Sequence, residues 1–199
     1  MRIIVAGGDG FCGWASSLRL ASSGYEVLIL DNFSRRKIDV DLGTASLNPI
    51  YDLDKRISTA EKKIGKISFI NIDLSSQYQK LVEIMLAFKP DAIVHFAEQR
   101  AAPYSMVAAR ERRYTIGNNV GSTHNICSAI VDVDKNIHIV HLGTMGVYGY
   151  DDKYGAIPEG YLDITIDGTG AKDSIVYPPS PGSIYHLSKV LDHQICNKT

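Results

Sequence analysis

The amino-acid sequence predicts an α/β fold built on a doubly wound parallel sheet. Apolar runs rich in β-branched residues alternate with longer helical patterns, and a glycine-rich turn follows the first run. Parallel strands joined by crossover helices make such a sheet, whose ligands bind beyond the carboxyl ends of the strands. The predicted strands cover residues 2–6, 26–30, 67–72, 92–96 and 137–142.

Two stretches interrupt this alternation. Residues 32–66 are rich in charge and are predicted to contain one short helix at about 53–63. Residues 150–182 are predicted to form a hairpin that turns at Asp167-Gly168, followed by a proline-rich loop. The last segment, SIYHLSKVLDHQICNKT, has the pattern of a helix.

The composition is that of one globular domain, residues 1–199, because 45% of the residues are hydrophobic and 22% are charged. A net charge of −1 gives no electrostatic reason to expect nucleic acid or a membrane as partner. Cys12, Cys127 and Cys196 lack metal-type or disulfide-type spacing, so we expect buried or half-buried thiols and no metal site. Neither a leader nor a membrane-spanning run is expected, and a reducing cytoplasm is the predicted location.

The stretch GGDGFCG, residues 7–13, places a glycine at every third position directly after the first predicted strand. We expect Gly7 to permit a tight turn, Gly10 to let a phosphate approach, and Gly13 to let a helix pack on the strand. A helix that begins near Phe11 would direct its N-terminal N–H groups at a pyrophosphate. A bare structural turn would explain the same glycines, so the motif alone does not decide.

Acidic residues end the next two predicted strands. Asp31 follows the glycines by about twenty residues, where a carboxylate accepts hydrogen bonds from an adenosine ribose, which favours NAD over NADP. Arg35 and Arg36 could receive a ribose phosphate or could belong to a solvated loop. Asp73 could face the adenine or cap the strand end.

The motif Tyr185-His-Leu-Ser-Lys189 carries the catalytic hypothesis. Tyrosine and lysine four residues apart share one helix face, so the ammonium could lower the pKa of the tyrosine from its usual value of about 10. A tyrosine that ionises near neutral pH is a general base for a sugar hydroxyl, and Thr144 after the fifth predicted strand could share the proton. The Y-x-x-x-K pattern also occurs by chance, with a purely structural role.

Taken together, these features resemble the extended short-chain dehydrogenase/reductase superfamily, which modifies nucleotide sugars with NAD on a Rossmann-type sheet. Within it, the chain is similar to the UDP-sulfoquinovose synthase family. The similar segments cover most of the chain: GGDGFCGW, DNFSRR, VHFAEQRAAPYSM, NNVGSTHN, LGTMGVYG, EGYLDIT and YHLSKVLDH. VHFAEQR, APYSM and TMG are far more specific than the superfamily motifs.

The resemblance implies a reaction on UDP-glucose. The sugar is oxidised at carbon 4 by NAD, loses water across carbons 5 and 6, takes up sulfite at carbon 6, and regains the hydride at carbon 4. Tyr185 is the implied base, tuned by Lys189 and assisted by Thr144. The expected cofactor-binding residues are Gly7, Gly10, Phe11, Cys12, Asp31, Asn32, Arg35, Arg36, Asp73, Phe96, Asn119, Tyr185 and Lys189.

Departures from related enzymes shape the expectations for the sugar site. The 4,6-dehydratases carry an Asp-Glu pair where this chain has Met145 and Gly146, which argues against an ordinary dehydratase and leaves the acid and base of water loss open. His186 and Glu98 are candidates, against the alternatives of a packed histidine and a solvated glutamate. Val147 stands where synthases of the family carry glutamate.

The sugar and sulfite pocket is expected to involve residues from three segments. Gln99 and Asn119 should line it, and Arg100 should hold sulfite or a sugar oxygen unless it is only a surface arginine. Ser122 replaces a glycine of the family pattern near Asn119. The expected substrate residues are Glu98, Gln99, Arg100, Thr144, Met145, Gly146 and His186.

Family members continue beyond the Tyr-Lys helix with a smaller domain that grips UDP, so the resemblance implies a truncated chain with the uridine contacts outside it. It also suggests a homodimer formed through helices at about 104–131 and 184–196, and leaves open whether a partner delivers sulfite. Two rivals stay open: another NAD-dependent nucleotide-sugar enzyme, such as a UDP-glucose 4-epimerase or a 4,6-dehydratase, and a non-catalytic NAD-binding sensor. EQR, APYSM and TMG argue against the first, and Thr144, Tyr185 and Lys189 argue against the second.

Overall fold

The computed structural model describes residues 1–150 and 161–198. Its centre is a parallel sheet of five strands in the order β3-β2-β1-β4-β5. The strands are β1 (Arg2–Ala6), β2 (Glu26–Asp31), β3 (Ile67–Asn71), β4 (Ala92–His95) and β5 (His138–His141). The predicted strands and the doubly wound class are confirmed. The order reverses between β1 and β4, where such sheets bind their ligands.

Helices flank the strands in the described part of the chain. They are α1 (Phe11–Ser22), α2 (Ser34–Asp41), α3 (Leu53–Lys63), α4 (Tyr78–Phe88), α5 (Ala109–Val133) and α6 (Ile184–Cys196), with short 3-10 turns at Tyr104–Met106 and Met145–Tyr148. α3 has the predicted bounds, whereas α2 was not predicted. All eight residues of α2 remain at least partly accessible, so the sequence shows no apolar stripe there.

The core consists of two apolar layers, one on each face of the sheet. Successive residues of a strand point to opposite faces, so Ile4 and Ala6 join one cluster while Ile3 and Val5 join the other. Buried residues of α4 and α5 complete the first layer, and buried residues of α1 and α3 complete the second. Burial on both faces explains why the central strands read as continuous apolar runs.

An antiparallel hairpin of β6 (Tyr161–Thr165) and β7 (Lys172–Val176) follows the sheet. Its turn holds Gly168 at φ +85°, as the predicted turn at Asp167-Gly168 requires. Residues 151–160, with the start of the EGYLDIT segment, lie outside the described residues. None of the helices in the described ranges has the combination of length and apolar sequence that a bilayer crossing needs.

Candidate active site

A cleft of about 350 Å³ opens at the carboxyl ends of β1, β2 and β4. It lies where the strand order reverses, as expected for a doubly wound sheet. The predicted cofactor-binding residues that line it are Gly7, Gly10, Phe11, Cys12, Asp31, Asn32, Arg35 and Phe96. The predicted substrate residues that line it are Glu98, Gln99 and Arg100.

The glycine-rich turn has the geometry that its spacing predicts. Gly7 has φ +83°, and a Cβ on it would lie 2.6 Å from the carbonyl carbon of Phe96. A Cβ on Gly13 would lie 2.1 Å from the Gly7 carbonyl oxygen, so α1 can pack on the turn only with glycine at that position. α1 begins at Phe11 without a side-chain cap, and its first turn lines the cleft. Uncapped helix N-termini of this kind bind phosphate groups.

Asp31 ends β2 at the cleft, as predicted for a ribose-binding carboxylate. Its Oδ2 accepts a hydrogen bond from Asp9 N at 2.9 Å, and its Oδ1 accepts one from Phe33 N at 2.8 Å. Burial raises the pKa of Asp31, and these backbone hydrogen bonds oppose that rise. The carboxylate is thereby fixed in orientation, and each oxygen keeps a lone pair for a sugar hydroxyl.

Arg35 and Arg36, which could have received a ribose phosphate, both lie on α2 and are engaged in ion pairs. Arg36 donates two hydrogen bonds to the Asp9 carboxylate, at 2.6 and 2.8 Å. Arg56 from α3 binds the same carboxylate, and Arg35 pairs with Asp39 at 3.1 Å. The solvated-loop alternative is therefore wrong, because a helix replaces the loop. Both guanidinium groups already have carboxylate partners, which leaves less charge for a ribose phosphate.

Asp73 and Asn119 support the fold around the cleft. Asp73 Oδ1 accepts hydrogen bonds from Ser75 N at 2.9 Å and Ser75 Oγ at 2.6 Å, which is the capping alternative. Asn119 is fully buried: its Oδ1 accepts a hydrogen bond from Gln99 N at 2.7 Å, and its Nδ2 donates one to Ser188 Oγ at 3.0 Å. Asn119 therefore joins α5 to α6 and to the loop after β4, instead of lining the cleft as expected.

Tyr185 and Lys189 lie on α6, whose first turn is fixed by hydrogen bonds. The Ser183 hydroxyl accepts a hydrogen bond from His186 N at 3.2 Å and lies 3.0 Å from the ring Nδ1 of the same histidine. Tyr185 N donates a hydrogen bond to Ser105 Oγ at 3.1 Å. Tyr185 is half-buried, and Lys189 is buried one turn further along the helix.

A buried cluster of charges surrounds Lys189. Its ammonium forms an ion pair with Glu98 and donates a hydrogen bond to Leu142 O at 2.8 Å. Glu98 also accepts a hydrogen bond from His141 Nε2 at 2.8 Å. Burial opposes the ionisation of Glu98, but this hydrogen bond and the nearby charges prevail and lower its pKa to about 2. Glu98 is therefore a fixed negative charge and a poor proton donor for water loss.

Two further titratable side chains complete the cluster. His95 is fully buried with Nε2 at 3.3 Å from Glu98 Oε1, and burial lowers its pKa to about 4. Asp192 on α6 is also fully buried, and burial together with the charge of Glu98 raises its pKa to about 8. Near pH 7, His95 is neutral and Asp192 is mostly protonated, so Glu98 holds the negative charge.

The prediction that Lys189 lowers the pKa of Tyr185 is wrong for this structure. Burial and then the negative charge of Glu98 raise the pKa of Tyr185 above its usual value. Because Glu98 neutralises the ammonium, little of the positive charge of Lys189 acts on the phenol.

The predicted residues after β5 form a turn in which Gly146 packs against His186. Thr144 Oγ1 accepts a hydrogen bond from Gly146 N at 3.2 Å, and Met145 is 81% exposed. A Cβ on Gly146 would lie 2.4 Å from His186 Nε2, so this turn packs directly on the imidazole. His186 is buried, and its Nε2 lies 3.0 Å from the Tyr150 hydroxyl. Both ring nitrogens thus have hydrogen-bond partners, as in the packed-histidine alternative.

Arg100 and Gln99 are neighbours with opposite environments. Gln99 is buried, and its Nε2 donates hydrogen bonds to Ala101 O at 2.9 Å and Thr115 Oγ1 at 3.0 Å. Arg100 is exposed at the cleft, and within the described residues its guanidinium makes no hydrogen bond or ion pair. Arg100 is therefore available to bind an anion in the cleft.

The buried cluster also contains metal-type donors. One donor atom each from His95, Glu98 and His141 lies within 4.8 Å of the others. Because the Lys189 ammonium already binds Glu98, a metal ion there would meet a like charge. We interpret this group as an ion-pair network.

The cysteines fit the prediction only in part. Cys127 is buried and Cys196 is half-buried, with their Sγ atoms 3.9 Å apart on α5 and α6. Cys12 is exposed instead, because the first turn of α1 faces the open cleft.

Sequence reasoning missed three features of the site. Asp9, inside the glycine turn, anchors two arginines from other helices. The histidines beside Glu98 were also missed, although each lies one residue before the end of a predicted strand: His95 and His141 are register partners on the adjacent strands β4 and β5. Asp192 gave no signal, because an acid three residues after Lys189 reads as an ordinary surface pair of a helix.

An open parallel sheet, a glycine-rich turn that leads into a helix without a side-chain cap, and a carboxylate at the end of the second strand together define a dinucleotide-binding domain. In agreement, residues 3–199 match the NAD dependent epimerase/dehydratase family, and the chain belongs to this family.

Two curated proteins that are similar in sequence to this chain are UDP-sulfoquinovose synthases. The chain is 43% identical over 191 residues to the chloroplastic protein of Spinacia oleracea, covering 96% of this chain and 39% of the relative. It is 43% identical over 197 residues to the protein of Sulfolobus acidocaldarius, covering 96% of this chain and 48% of the relative. The chain thus spans less than half the length of either relative.

A solved structure confirms the Rossmann-type fold class. The UDP-glucose 4-epimerase from Bifidobacterium longum in complex with NAD+ and UDP aligns with a TM-score of 0.67 at 21% identity. The alignment covers 100% of this chain and 48% of that one, so about half of the epimerase has no counterpart here. At this identity the likeness shows the fold alone.

Proposed function

We propose that this chain is the NAD-binding and catalytic part of a UDP-sulfoquinovose synthase. The observation that carries the proposal is the 43% identity to synthases from a plant and an archaeon along 96% of the chain. The proposed substrates are UDP-glucose and sulfite, and the proposed product is UDP-sulfoquinovose.

NAD fits the residues that line the cleft. When bound, it supplies a hydride acceptor for carbon 4 of the sugar and later returns that hydride. The N–H groups at the start of α1, beside Gly10, would hold its pyrophosphate, and Asp31 would hold its adenosine ribose. The pairing of Arg35 with Asp39 and of Arg36 with Asp9 supports NAD over NADP.

The residues of α6 and of the turn after β5 would move the protons. Tyr185 takes the proton of the 4-hydroxyl as the hydride leaves carbon 4, with Thr144 sharing that proton. The resulting ketone makes the hydrogen on carbon 5 acidic, so a proton leaves carbon 5 and hydroxide leaves carbon 6 as water. Sulfite then forms a bond to carbon 6, and carbon 5 regains a proton. Return of the hydride to carbon 4 and of the Tyr185 proton to its oxygen completes the cycle.

His186 is a better proton carrier for water loss than Glu98. Glu98 is buried in an ion pair with Lys189, and its low pKa keeps it ionised. His186 Nε2 instead lies 3.0 Å from the hydroxyl of Tyr150, a residue that is 79% exposed. This contact supports a proton route from solvent to the imidazole.

Arg100 is the proposed sulfite ligand. Its exposed guanidinium lies at the same cleft as Asp31 and Phe96. A planar fork of N–H donors suits the oxygens of sulfite, which is an anion near neutral pH.

The first experiment incubates the protein with NAD+ and UDP-glucose, with and without sulfite, and identifies the nucleotide sugars by accurate-mass spectrometry. A sulfonated UDP-hexose that forms only with sulfite and is lost in Tyr185→Phe supports the synthase. UDP-galactose or a 4-keto-6-deoxy sugar, formed regardless of sulfite, would assign the protein to an epimerase or a dehydratase. NAD binding without turnover would favour the sensor.

We further propose a homodimer formed through α5 and α6. Leu187 and Leu191 lie four residues apart on α6 and are 38% and 39% exposed, which leaves apolar surface on this helix. Light scattering should give the mass of a dimer, and a Leu187→Asp/Leu191→Asp variant should be monomeric.

We also propose that the protein is located in a reducing cytoplasm, because its cysteines are odd in number and widely spaced. The name of the spinach relative places that protein in the chloroplast.

A further inference from the structure

Two buried carboxyl groups lie close to Lys189, the lysine of the Tyr185-Lys189 motif. Glu98 comes from the loop after β4, and Asp192 comes from α6, one turn beyond Lys189. The side chains of Glu98 and Lys189 are only 4% and 5% exposed, and Asp192 is fully buried. A tyrosine base that is assisted only by a neighbouring lysine does not require two buried carboxyl groups.

We propose that Glu98 is a positioning residue, which holds the ammonium of Lys189 and so limits the positive charge that acts on Tyr185. The inference rests on the proposed function, in which Tyr185 is the base. Asp192 is the second member of the pair: it keeps its proton while Glu98 is charged and takes the charge over when Glu98 is neutral.

The contacts of Lys189 carry this proposal. The ammonium is held between the carboxylate of Glu98 and the carbonyl oxygen of Leu142, which follows β5. Glu98 is itself oriented by His141 Nε2 at 2.8 Å and by Thr123 Oγ1 at 3.4 Å. The segments after β4 and β5 therefore hold the ammonium directly, and His141 and Thr123 fix its partner Glu98, which leaves the lysine little freedom to turn toward the phenol.

The groups around Tyr185 agree with a net negative influence. After burial, the charge of Glu98 is the largest factor that raises its pKa, followed by Tyr150 and Asp192. The ring of His186 lies 5.2 Å from the Tyr185 ring, and Lys189 lies one helical turn away. Removal of the negative charge of the pair should therefore let the ammonium favour the ionised phenol.

The test titrates Tyr185 directly in the NAD+-loaded protein. Proteins with 13C-labelled tyrosine are followed by NMR from pH 6 upward, and the Tyr185 signal is identified by its loss in Tyr185→Phe. The Glu98→Gln variant keeps the shape of the side chain and should lower the midpoint pH of Tyr185 by on the order of one unit. Glu98→Gln/Asp192→Asn should lower it further, because Asp192 cannot then take over the charge.

The conservative variant and a surface variant separate positioning from mere stability. Glu98→Asp restores the carboxylate and should return the midpoint toward that of the unmodified protein. Glu83→Gln on the exposed face of α4 should leave it unchanged. If Glu98→Gln and the double variant lower the melting temperature but leave the Tyr185 midpoint in place, the role of Glu98 is structural and the proposal is overturned.

The titration and the turnover assay answer different questions. The NMR midpoint needs no sugar substrate, so it can move as proposed even if no sulfonated product forms, in which case only the proposed reaction fails. Where product does form, the acidic limb of kcat should move to lower pH in Glu98→Gln by the same amount as the midpoint. If product forms but neither the acidic limb of kcat nor the NMR midpoint of Tyr185 moves, the inference about Glu98 is overturned and the proposed reaction stands.

Discussion

The two halves of the candidate site differ in what holds them together. The half formed by β1, β2 and α1 depends on backbone shape: glycines without a Cβ, an uncapped helix end and one strand-end carboxylate. The half formed by β4, β5 and α6 depends on buried side chains, with Glu98 and Lys189 as its ion pair. The first half is specified within about thirty residues of sequence, whereas the second needs elements separated by about ninety residues.

Because of this difference, the two halves should respond to different kinds of substitution. A backbone-built site should fail through sterics, since an added side chain displaces main chain that cannot yield. A site built on buried charges should fail through protonation, because its members depend on each other for charge.

Gly13→Val should abolish NAD binding and destabilise the fold by about 3 kcal/mol or more, because its Cβ would lie 2.1 Å from the Gly7 carbonyl oxygen. Fluorescence titration with NADH and thermal melting measure both effects. Gly117→Ala in α5 is the control: a Cβ there meets nothing within 4 Å, so it should stabilise by about 0.5–1 kcal/mol. Normal NAD affinity in Gly13→Val would break the steric account of the first half.

Tyr185→Phe should lower kcat for the sulfite-dependent reaction by about 10²- to 10⁴-fold, since a general base is lost. NAD affinity should change little, because the phenol does not line the cleft that we propose for the adenosine. Tyr161→Phe, on the exposed face of β6, is the matched control and should keep full turnover. A kcat for Tyr185→Phe within a factor of a few of the unmodified protein would remove Tyr185 from the chemistry.

Arg100→Ala should raise the KM for sulfite by about 10-fold or more, because a charge-assisted contact to an anion is removed. The affinity for NAD should stay the same, as measured by NADH fluorescence. Arg113→Ala on the exposed surface of α5 is the control for a general change in charge. An equal rise in KM for both variants would indicate long-range attraction of sulfite and no specific site.

Asp192→Asn should flatten the pH dependence of stability. The pKa of Asp192 rises from 3.8 to about 8 on folding, so its contribution to stability is present below pH 4 and is lost as pH rises through 8. Relative to the variant, the unmodified protein should lose stability steadily between pH 4 and 8, where the unfolded chain is ionised at this position and the folded chain is not. Denaturant melts across this range measure the difference, and Asp163→Asn on the exposed hairpin should parallel the unmodified protein.

The accuracy of sequence reasoning followed the same division. The strands, α3, the start of α1 at Phe11 and the roles of Gly7 and Gly13 were predictable, because each depends on residues close in the chain. α2 was missed because it buries none of its side chains, and the two arginines on it found carboxylate partners that no local pattern announces.

The half of the site that contains α6 shows the limit of a motif. The spacing of Tyr185 and Lys189 was read as a lysine that acts on its tyrosine, but the ammonium binds Glu98, 91 residues earlier in the chain. Asn119 was likewise expected in the pocket and instead joins α5 to α6 through Ser188.

Local spacing in the sequence is enough to specify the succession of the strands and of the helices other than α2, the phosphate-type turn and the tyrosine-lysine pair, because it governs main-chain geometry and helix faces. The charge states of the buried groups, in contrast, depend on tertiary packing. Parallel pairing of β4 with β5 puts His95 beside His141, and packing of α6 on their ends buries Lys189 and Asp192 against Glu98. The ionisation of each group then depends on neighbours that are distant in the chain and are brought together only by the fold.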